Sequence, residues 1–155
     1  RAVRLFDVNL RPPHYSRHVL QRSLDLATVV KLNADELVTL TELFHLTGQT
    51  HAERCQSLRK RHDLRCVVLT RGAAGTSYHG PEGEVTAEPA SYPVAEAADA
   101  VGAGDACTAA VLVGLVRRMP PVEMLSLANR VGAWVAAHVG PTPTIPDEVI
   151  EGQPV

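Results

Sequence analysis

Continuous apolar runs alternate along the first half of the chain with stretches whose apolar residues recur every three or four positions. Residues 3–8, 28–32 and 66–70 are runs rich in Val and Leu, which is typical of strands buried on both faces of a sheet. The stretches 16–27 and 33–48 have helical spacing. Because strands and helices alternate, the chain is predicted to form an α/β fold with a mostly parallel sheet.

The second half of the chain adds a hairpin and more helices. The segment Gly80-Pro81-Glu82-Gly83 separates residues 76–79 from 84–87 and predicts the turn of a hairpin. An extended connector is expected at residues 89–93. Further helices are predicted over residues 51–62, 106–118 and 122–139.

The helix that follows residue 33 has both a start signal and a stop signal. Asn33 is a good N-cap, and Glu36 stands three residues later, in the position of a capping box. Gly48 is expected to end this helix. Its predicted apolar face carries Leu37, Leu40, Leu43 and Phe44.

Composition and charge narrow the classes of function. The 155 residues include 15 Lys+Arg and 17 Asp+Glu, a formal charge of −2, and 45% are hydrophobic, as in a soluble globular domain. Charges of both signs are mixed, so no nucleic-acid partner is expected. No apolar run approaches the roughly 18 residues of a membrane span. The three isolated cysteines predict neither a disulfide framework nor a zinc site, so we expect a cytoplasmic protein without a membrane partner.

A glycine-rich segment, Gly102-Ala103-Gly104-Asp105, stands immediately before an apolar predicted helix. The start of a helix presents free backbone N–H groups and the positive end of the helix dipole, which favour an anion. Neither a Walker A loop nor a dinucleotide fingerprint is present, since no GK[ST] follows and Cys107 occupies the third glycine position. Two interpretations of Asp105 stay open: a helix cap, or a base that takes a proton as phosphate arrives.

The wider segment Asp99-x-x-Gly102-Ala103-Gly104-Asp105 resembles the C-terminal signature of the ribokinase-like (PfkB-type) carbohydrate kinases. The resemblance implies a three-layer α/β/α sandwich, with ATP and Mg²⁺ as cofactors. It also implies that Gly102, Ala103 and Gly104 form an anion hole for the transferring phosphoryl group, and that Asp105 deprotonates the substrate hydroxyl. Cys107 departs from the family, which usually has Phe there, and we expect a buried, unreactive thiol.

Two more segments resemble the family in the same order. Asn33 and Glu36 match its Asn-x-x-Glu segment, which implies that they organise phosphate and Mg²⁺, with Glu36 acting through water. A capping box is the alternative. Thr70, Gly72 and Gly75 match the Thr-x-Gly-x-x-Gly segment that borders the nucleotide phosphates, and an ordinary strand-to-hairpin turn is the alternative.

The segment Asp7-x-Asn9-x-Arg11-Pro12 resembles a run found in the fructokinase and 2-keto-3-deoxygluconate kinase branches of the family. The resemblance implies that Arg11 binds substrate or lies near the transferred phosphate. A guanidinium group suits this task because its planar fork pairs with phosphate or carboxylate oxygens. A surface arginine in a proline-rich turn is the alternative.

Residues 128–133, together with Gly140 and Pro146, resemble the family's C-terminal helix and loop, which wall the adenosine pocket. The resemblance implies that Asn129 contacts the nucleotide. In the family a monovalent cation such as K⁺ can also lie beside the anion hole. Because Gly140-Pro-Thr-Pro departs from the family's Gly-Ala pattern, the need for this cation stays open. Its ligands would be Asp99, Val101, Val135, Gly140 and Thr144.

The resemblance implies ATP-dependent phosphorylation of a hydroxyl on a sugar or sugar acid. A nucleoside kinase of the same fold and a non-catalytic nucleotide-binding fragment are the alternatives, and the lack of a strand-GxGxxG-helix disfavours an NAD-dependent oxidoreductase. Family members are longer, and Arg1 opens directly into an apolar run. Residues 1–155 are therefore expected to be the C-terminal nucleotide-binding portion, without the N-terminal sugar-binding half and lid. A homodimer of the full-length protein stays open.

Overall fold

The structure, a computed structural model, describes residues 2–153 and divides into two compact units. The first unit contains the residues up to Arg71 together with Ser77–Val85. The second contains Gly72–Thr76 and the residues from Thr86 onward. No helix within residues 2–153 is both long and apolar enough to cross a bilayer.

One five-stranded sheet runs in the order β1-β2-β3-β4-β5. Strands β1, β2 and β3 are parallel neighbours, and their register pairs Asp7 with Lys31 and Asn33 with Thr70. Polar residues of adjacent strands therefore lie side by side toward the carboxyl ends of the parallel strands. The strands are β1 Leu5–Asp7, β2 Val29–Asn33, β3 Cys66–Thr70, β4 Thr76–Gly80 and β5 Gly83–Thr86.

Three helices pack with the parallel strands in the first unit. Their apolar faces form one core with β2 and β3, in which Leu24, Leu37 and Phe44 are fully buried. Each such side chain contributes roughly 1.5–3 kcal/mol by leaving water. The helices are α1 Arg17–Leu26, α2 Ala34–Phe44 and α3 His51–Arg61.

The second unit is built on two long helices that pack along each other, α4 Ala103–Arg117 and α5 Pro121–Ala137. Gly114 lies against Met124, and a side chain at Gly114 would overlap it. A short helix, α6 Asp147–Glu151, follows, and residues Gly72–Ala74 form a single 3₁₀ turn.

The predicted strands and the α/β class are confirmed, but two helix boundaries lie well away from their predicted positions and one short helix was not predicted. The prediction that Gly48 ends α2 is wrong, because His45 turns left-handed at φ 51° and its N–H bonds back to Thr41. The prediction that α4 starts at residue 106 is also wrong, because the left-handed Gly102 is the N-cap and the helix starts at Ala103. Helix α6 was not predicted, since five residues are too few to show a periodicity.

Candidate functional site

The glycine-rich segment forms the first turn of α4. Gly102 is left-handed at φ 84°, and a Cβ there would overlap the backbone of Pro141. The Ala103 N–H bonds to Ala100 O at 3.2 Å, whereas the N–H groups of Gly104 and Asp105 have no acceptor within residues 2–153. Two free donors at the positive end of a 15-residue helix can bind an anion.

The Asp105 carboxylate lies in the same first turn. It is exposed, and within the described part of the chain its side chain forms no hydrogen bond or ion pair. Asp105 is not the helix cap, since Gly102 holds that position and α4 has no side-chain cap. The carboxylate is therefore available to a ligand bound at the free N–H groups.

The loop before α4 contains the predicted cation ligands Asp99 and Val101. The Asp99 carboxylate accepts the Val101 N–H at 3.0 Å, and this bond shapes the turn into Gly102. Since Gly102 lies against Pro141, the structure brings this loop to the loop that begins at Gly140.

The other two predicted cation ligands are carbonyls with protein donors. The indole N–H of Trp134 donates to Thr144 O at 3.0 Å, and the His138 N–H donates to Val135 O at 3.2 Å. A carbonyl oxygen has two lone pairs, so neither bond prevents a cation from binding. The monovalent cation stays a prediction.

Asn129 is buried in the second unit, where the sequence predicts a nucleotide contact. Its side-chain oxygen accepts the Thr76 hydroxyl at 2.8 Å, and its NH₂ donates to Glu88 O at 2.9 Å. Gly75 is left-handed at φ 77° directly beside this amide. The amide thus fixes the turn that carries Gly72 and Gly75, while a direct contact with nucleotide stays a prediction.

At the carboxyl ends of β1 and β2, in the first unit, Lys31 forms an ion pair with Asp7. The ammonium lies 3.0 and 3.3 Å from the two carboxylate oxygens, and the Lys31 side chain is only 6% exposed. The sequence analysis did not single out this pair. A lysine inside an otherwise apolar strand was the available signal, because a buried ammonium group needs a partner.

Asn33 and Glu36 form the predicted capping box at the start of α2. The Asn33 side chain accepts the Glu36 N–H, and the Glu36 carboxylate accepts the Asn33 N–H, both at 2.8 Å. The second Glu36 oxygen accepts the Leu10 N–H at 3.0 Å, a contact that the sequence analysis missed. The capping alternative is therefore confirmed, and a role of Glu36 in holding Mg²⁺ stays a prediction.

Arg11 directly follows the residue that Glu36 binds. It is exposed, and its side chain forms no hydrogen bond or ion pair with any residue between 2 and 153. Thr70, at the end of β3, donates its hydroxyl to Leu32 O at 3.4 Å. The charged group of Arg11 is thus unengaged, and the Nε of Arg71, the residue after β3, is buried without a hydrogen-bond partner among residues 2–153.

All three cysteines are free thiols and are buried. Burial raises the pKa of the Cys55 thiol to about 12 and that of Cys66 to about 11. Cys107 is buried as predicted. It packs close to Gly132, where an added Cβ would lie 3.5 Å from the Cβ of Cys107. No three His, Cys, Asp or Glu side chains in the described range come close enough to hold a metal ion by themselves.

Comparisons with known proteins identify the family of the chain. The family described as "pfkB family carbohydrate kinase" matches residues 1–148. The chain is 29% identical to a fructokinase of Salmonella typhimurium, over 91% of this chain and 47% of that protein. It is 31% identical to an aminoimidazole riboside kinase of Salmonella typhimurium strain LT2, over 92% of this chain and 45% of that protein.

A solved structure is also similar. It is a putative ribokinase II from E. coli in complex with ATP and Mg²⁺, with a TM-score of 0.72 and 25% identity, covering 98% of this chain and 45% of that one. The predicted ribokinase-like α/β fold is thereby confirmed. The chain spans about half the length of the relatives named here.

Proposed function

Because this chain belongs to the pfkB family of carbohydrate kinases, we propose that the full-length protein transfers the γ-phosphoryl group of ATP to a hydroxyl of a sugar or sugar acid. Residues 1–155 supply the nucleotide-binding portion in this proposal. The observation that carries it is the first turn of α4, where two unbonded N–H groups and an unengaged carboxylate occur together.

The free N–H groups of the glycine-rich turn bind and stabilise the transferring phosphoryl group. Negative charge on its oxygens is favoured by the donors and by the positive end of the helix dipole. Because these donors belong to a helix already in place, they need no reorganisation when the phosphoryl group arrives. Gly102 permits the close turn that starts this helix.

Asp105 accepts the proton in the transfer step. As the substrate oxygen bonds to the γ-phosphorus, the bond from that phosphorus to the bridging oxygen of ADP breaks and the hydroxyl proton passes to the Asp105 carboxylate. Its exposure and its lack of an internal partner support this role. A carboxylate already engaged as a helix cap would be a poorer proton acceptor.

Glu36 fits a role toward Mg²⁺, because each of its oxygens accepts one N–H and retains a lone pair for a metal-bound water. When bound, Mg²⁺ would neutralise charge on the ATP phosphates. Asn33, Thr70, Gly72 and Gly75 border the phosphates in this proposal. A K⁺ ion near Asp99 and Thr144 would add positive charge beside the anion hole and so favour the bound phosphoryl group.

The free guanidinium of Arg11 supports a substrate or phosphoryl group with paired anionic oxygens. A nucleoside is the second candidate substrate, and the 31% identity with a riboside kinase favours it. Arg11 would then meet the phosphoryl group rather than a carboxylate of the substrate.

The test is ADP release by the full-length protein over a panel of sugars, sugar acids and nucleosides, with and without K⁺, beside calorimetry with ATP and Mg²⁺. Turnover with a sugar or sugar acid supports the proposal. Turnover with nucleosides alone would favour the second candidate, and ATP binding without any turnover would contradict both.

A further inference from the structure

The segment that leads to Arg11 is anchored at successive points after β1. Asp7 is paired with the buried Lys31, and the Val8 N–H donates to Lys31 O at 3.0 Å. The Leu10 N–H donates to Glu36 at 3.0 Å. Arg11 follows the last of these anchors and is itself exposed.

Glu36 provides the last anchor with a buried carboxylate. The residue is 8% exposed, and its two oxygens accept N–H groups from Leu10 and Asn33. Leu10 stands 26 residues away in the chain, while Asn33 starts α2. One side chain therefore joins the loop after β1 to the rigid start of a helix.

We infer that Glu36 is a positioning residue that fixes Arg11 for an anionic group of the reactants. Bonds to a carboxylate are stronger than those between neutral groups, so this one restricts the backbone at Leu10 and hence the origin of the Arg11 side chain. A long side chain loses less conformational freedom on binding when its backbone is already fixed. The inference rests on the proposed function and adds a task for Glu36 that is separate from Mg²⁺.

Two anionic groups of the reactants could bind Arg11. They are the carboxylate of a sugar acid and the transferring phosphoryl group, and both present paired oxygens to the guanidinium. A neutral sugar offers only the second. Comparing sugar acids with neutral sugars therefore identifies the group that binds.

The test compares Glu36→Ala with Glu53→Ala in the full-length protein. Glu53 is a matched control, because it forms the same capping box with Thr50 at the start of α3 and also accepts the N–H of Gln49. Hydrogen exchange at the Leu10 amide should speed up about tenfold in Glu36→Ala and stay unchanged in Glu53→Ala. If Glu36→Ala does not fold, Glu36→Met takes its place, because Met keeps the length of the side chain but has no oxygen to accept the Leu10 N–H.

The kinetic part of the test measures kcat and KM at saturating Mg²⁺. Glu36→Ala should raise KM about tenfold for a sugar-acid substrate, or lower kcat by a similar factor if Arg11 meets the phosphoryl group. In an Arg11→Ala background the same change should have no further effect, because the residue it positions is gone. Glu53→Ala should retain wild-type values.

Three outcomes would overturn the inference: unchanged exchange at Leu10, full restoration of Glu36→Ala by excess Mg²⁺, or losses that multiply in the double variant. The second would leave Glu36 with a metal role alone, and the third would show that Glu36 and Arg11 act independently. Absence of turnover in the unmodified protein would overturn the proposed function together with the inference. Turnover with any of these three outcomes would overturn the inference alone.

Discussion

Two charged side chains, Arg11 in the first unit and Asp105 in the second, differ from the other polar residues to which a function is assigned. Both are exposed, and neither has a side-chain partner in the described residues. Lys31, Glu36 and Asn129 are buried and hydrogen-bonded. Asp105 and Arg11 are thus unengaged, while Glu36 and Asn129 each hold a loop of their own unit in place.

Substituting Gly102 by Ala tests the start of α4 at the level of one residue. The left-handed φ of 84° and the overlap with Pro141 both act against a side chain there. We expect Gly102→Ala to lower the free energy of unfolding by about 2–4 kcal/mol, measured by urea denaturation.

Gly140→Ala is the matched control, since Gly140 has the same φ of 84° but open space where a Cβ would lie. Gly140→Ala should lower the free energy of unfolding by only about 1 kcal/mol, because the strain of the left-handed backbone is then the sole cost. Equal losses in the two variants would contradict the close approach to Pro141.

The Lys31–Asp7 pair gives a second prediction for single residues. Lys31→Met keeps the aliphatic packing but removes the cation from a carboxylate that is 20% exposed. We expect a loss of about 2 kcal/mol in the free energy of unfolding, and a smaller loss when Asp7→Asn is added. An unchanged free energy of unfolding in Lys31→Met would mean that the pair does not stabilise the fold.

At the scale of helices and strands, the sequence predicts what is encoded locally. The capping box of Asn33 and Glu36 spans three residues, and the buried strand 66–70 is a single run, so both were predictable. The bonds of Glu36 to Leu10 and of Asn129 to Thr76 join positions 26 and 53 residues apart. No periodicity or motif reports such a pairing, so these two contacts could not be predicted from the sequence.

The strand β4 carries a pH-sensitive residue, His79. Burial lowers the pKa of His79 below its ordinary 6.5; the nearby Glu84 opposes this shift, and Arg71 adds to it. The unfolded chain therefore binds a proton at His79 more readily than the folded protein does. Stability from neutral His79 is fully present above pH 6.5 and is lost as pH falls through the lowered pKa.

Urea midpoints measured between about pH 7.5 and 5.5 should therefore decline on acidification. His79→Gln should flatten this decline, because it removes the titrating group. His14→Gln, at an exposed position, should leave the decline as it is. An equal slope in wild type and His79→Gln would show that the decline comes from other groups.

At the scale of the whole molecule, each compact unit contains some of the residues that are proposed to act in phosphoryl transfer. The first unit carries Arg11 and Glu36, and the second carries Asp105 and Asn129. The alternation of strands and helices predicted the α/β class, and the glycine-rich signature predicted the family. The start of α4 at Ala103 could not be read from apolar periodicity, because Gly104 and Asp105 break the apolar pattern.

The most direct measurement of the proposed phosphoryl transfer is the turnover of Asp105→Asn in the full-length protein, with Asp147→Asn as the control. Both aspartates are exposed and lie in the first turn of a helix. Without a proton acceptor, Asp105→Asn should lose at least about 100-fold in kcat, while ATP affinity by calorimetry stays within about twofold. Asp147→Asn should keep wild-type kcat. Near-normal turnover of Asp105→Asn would contradict the assignment of Asp105 as the base.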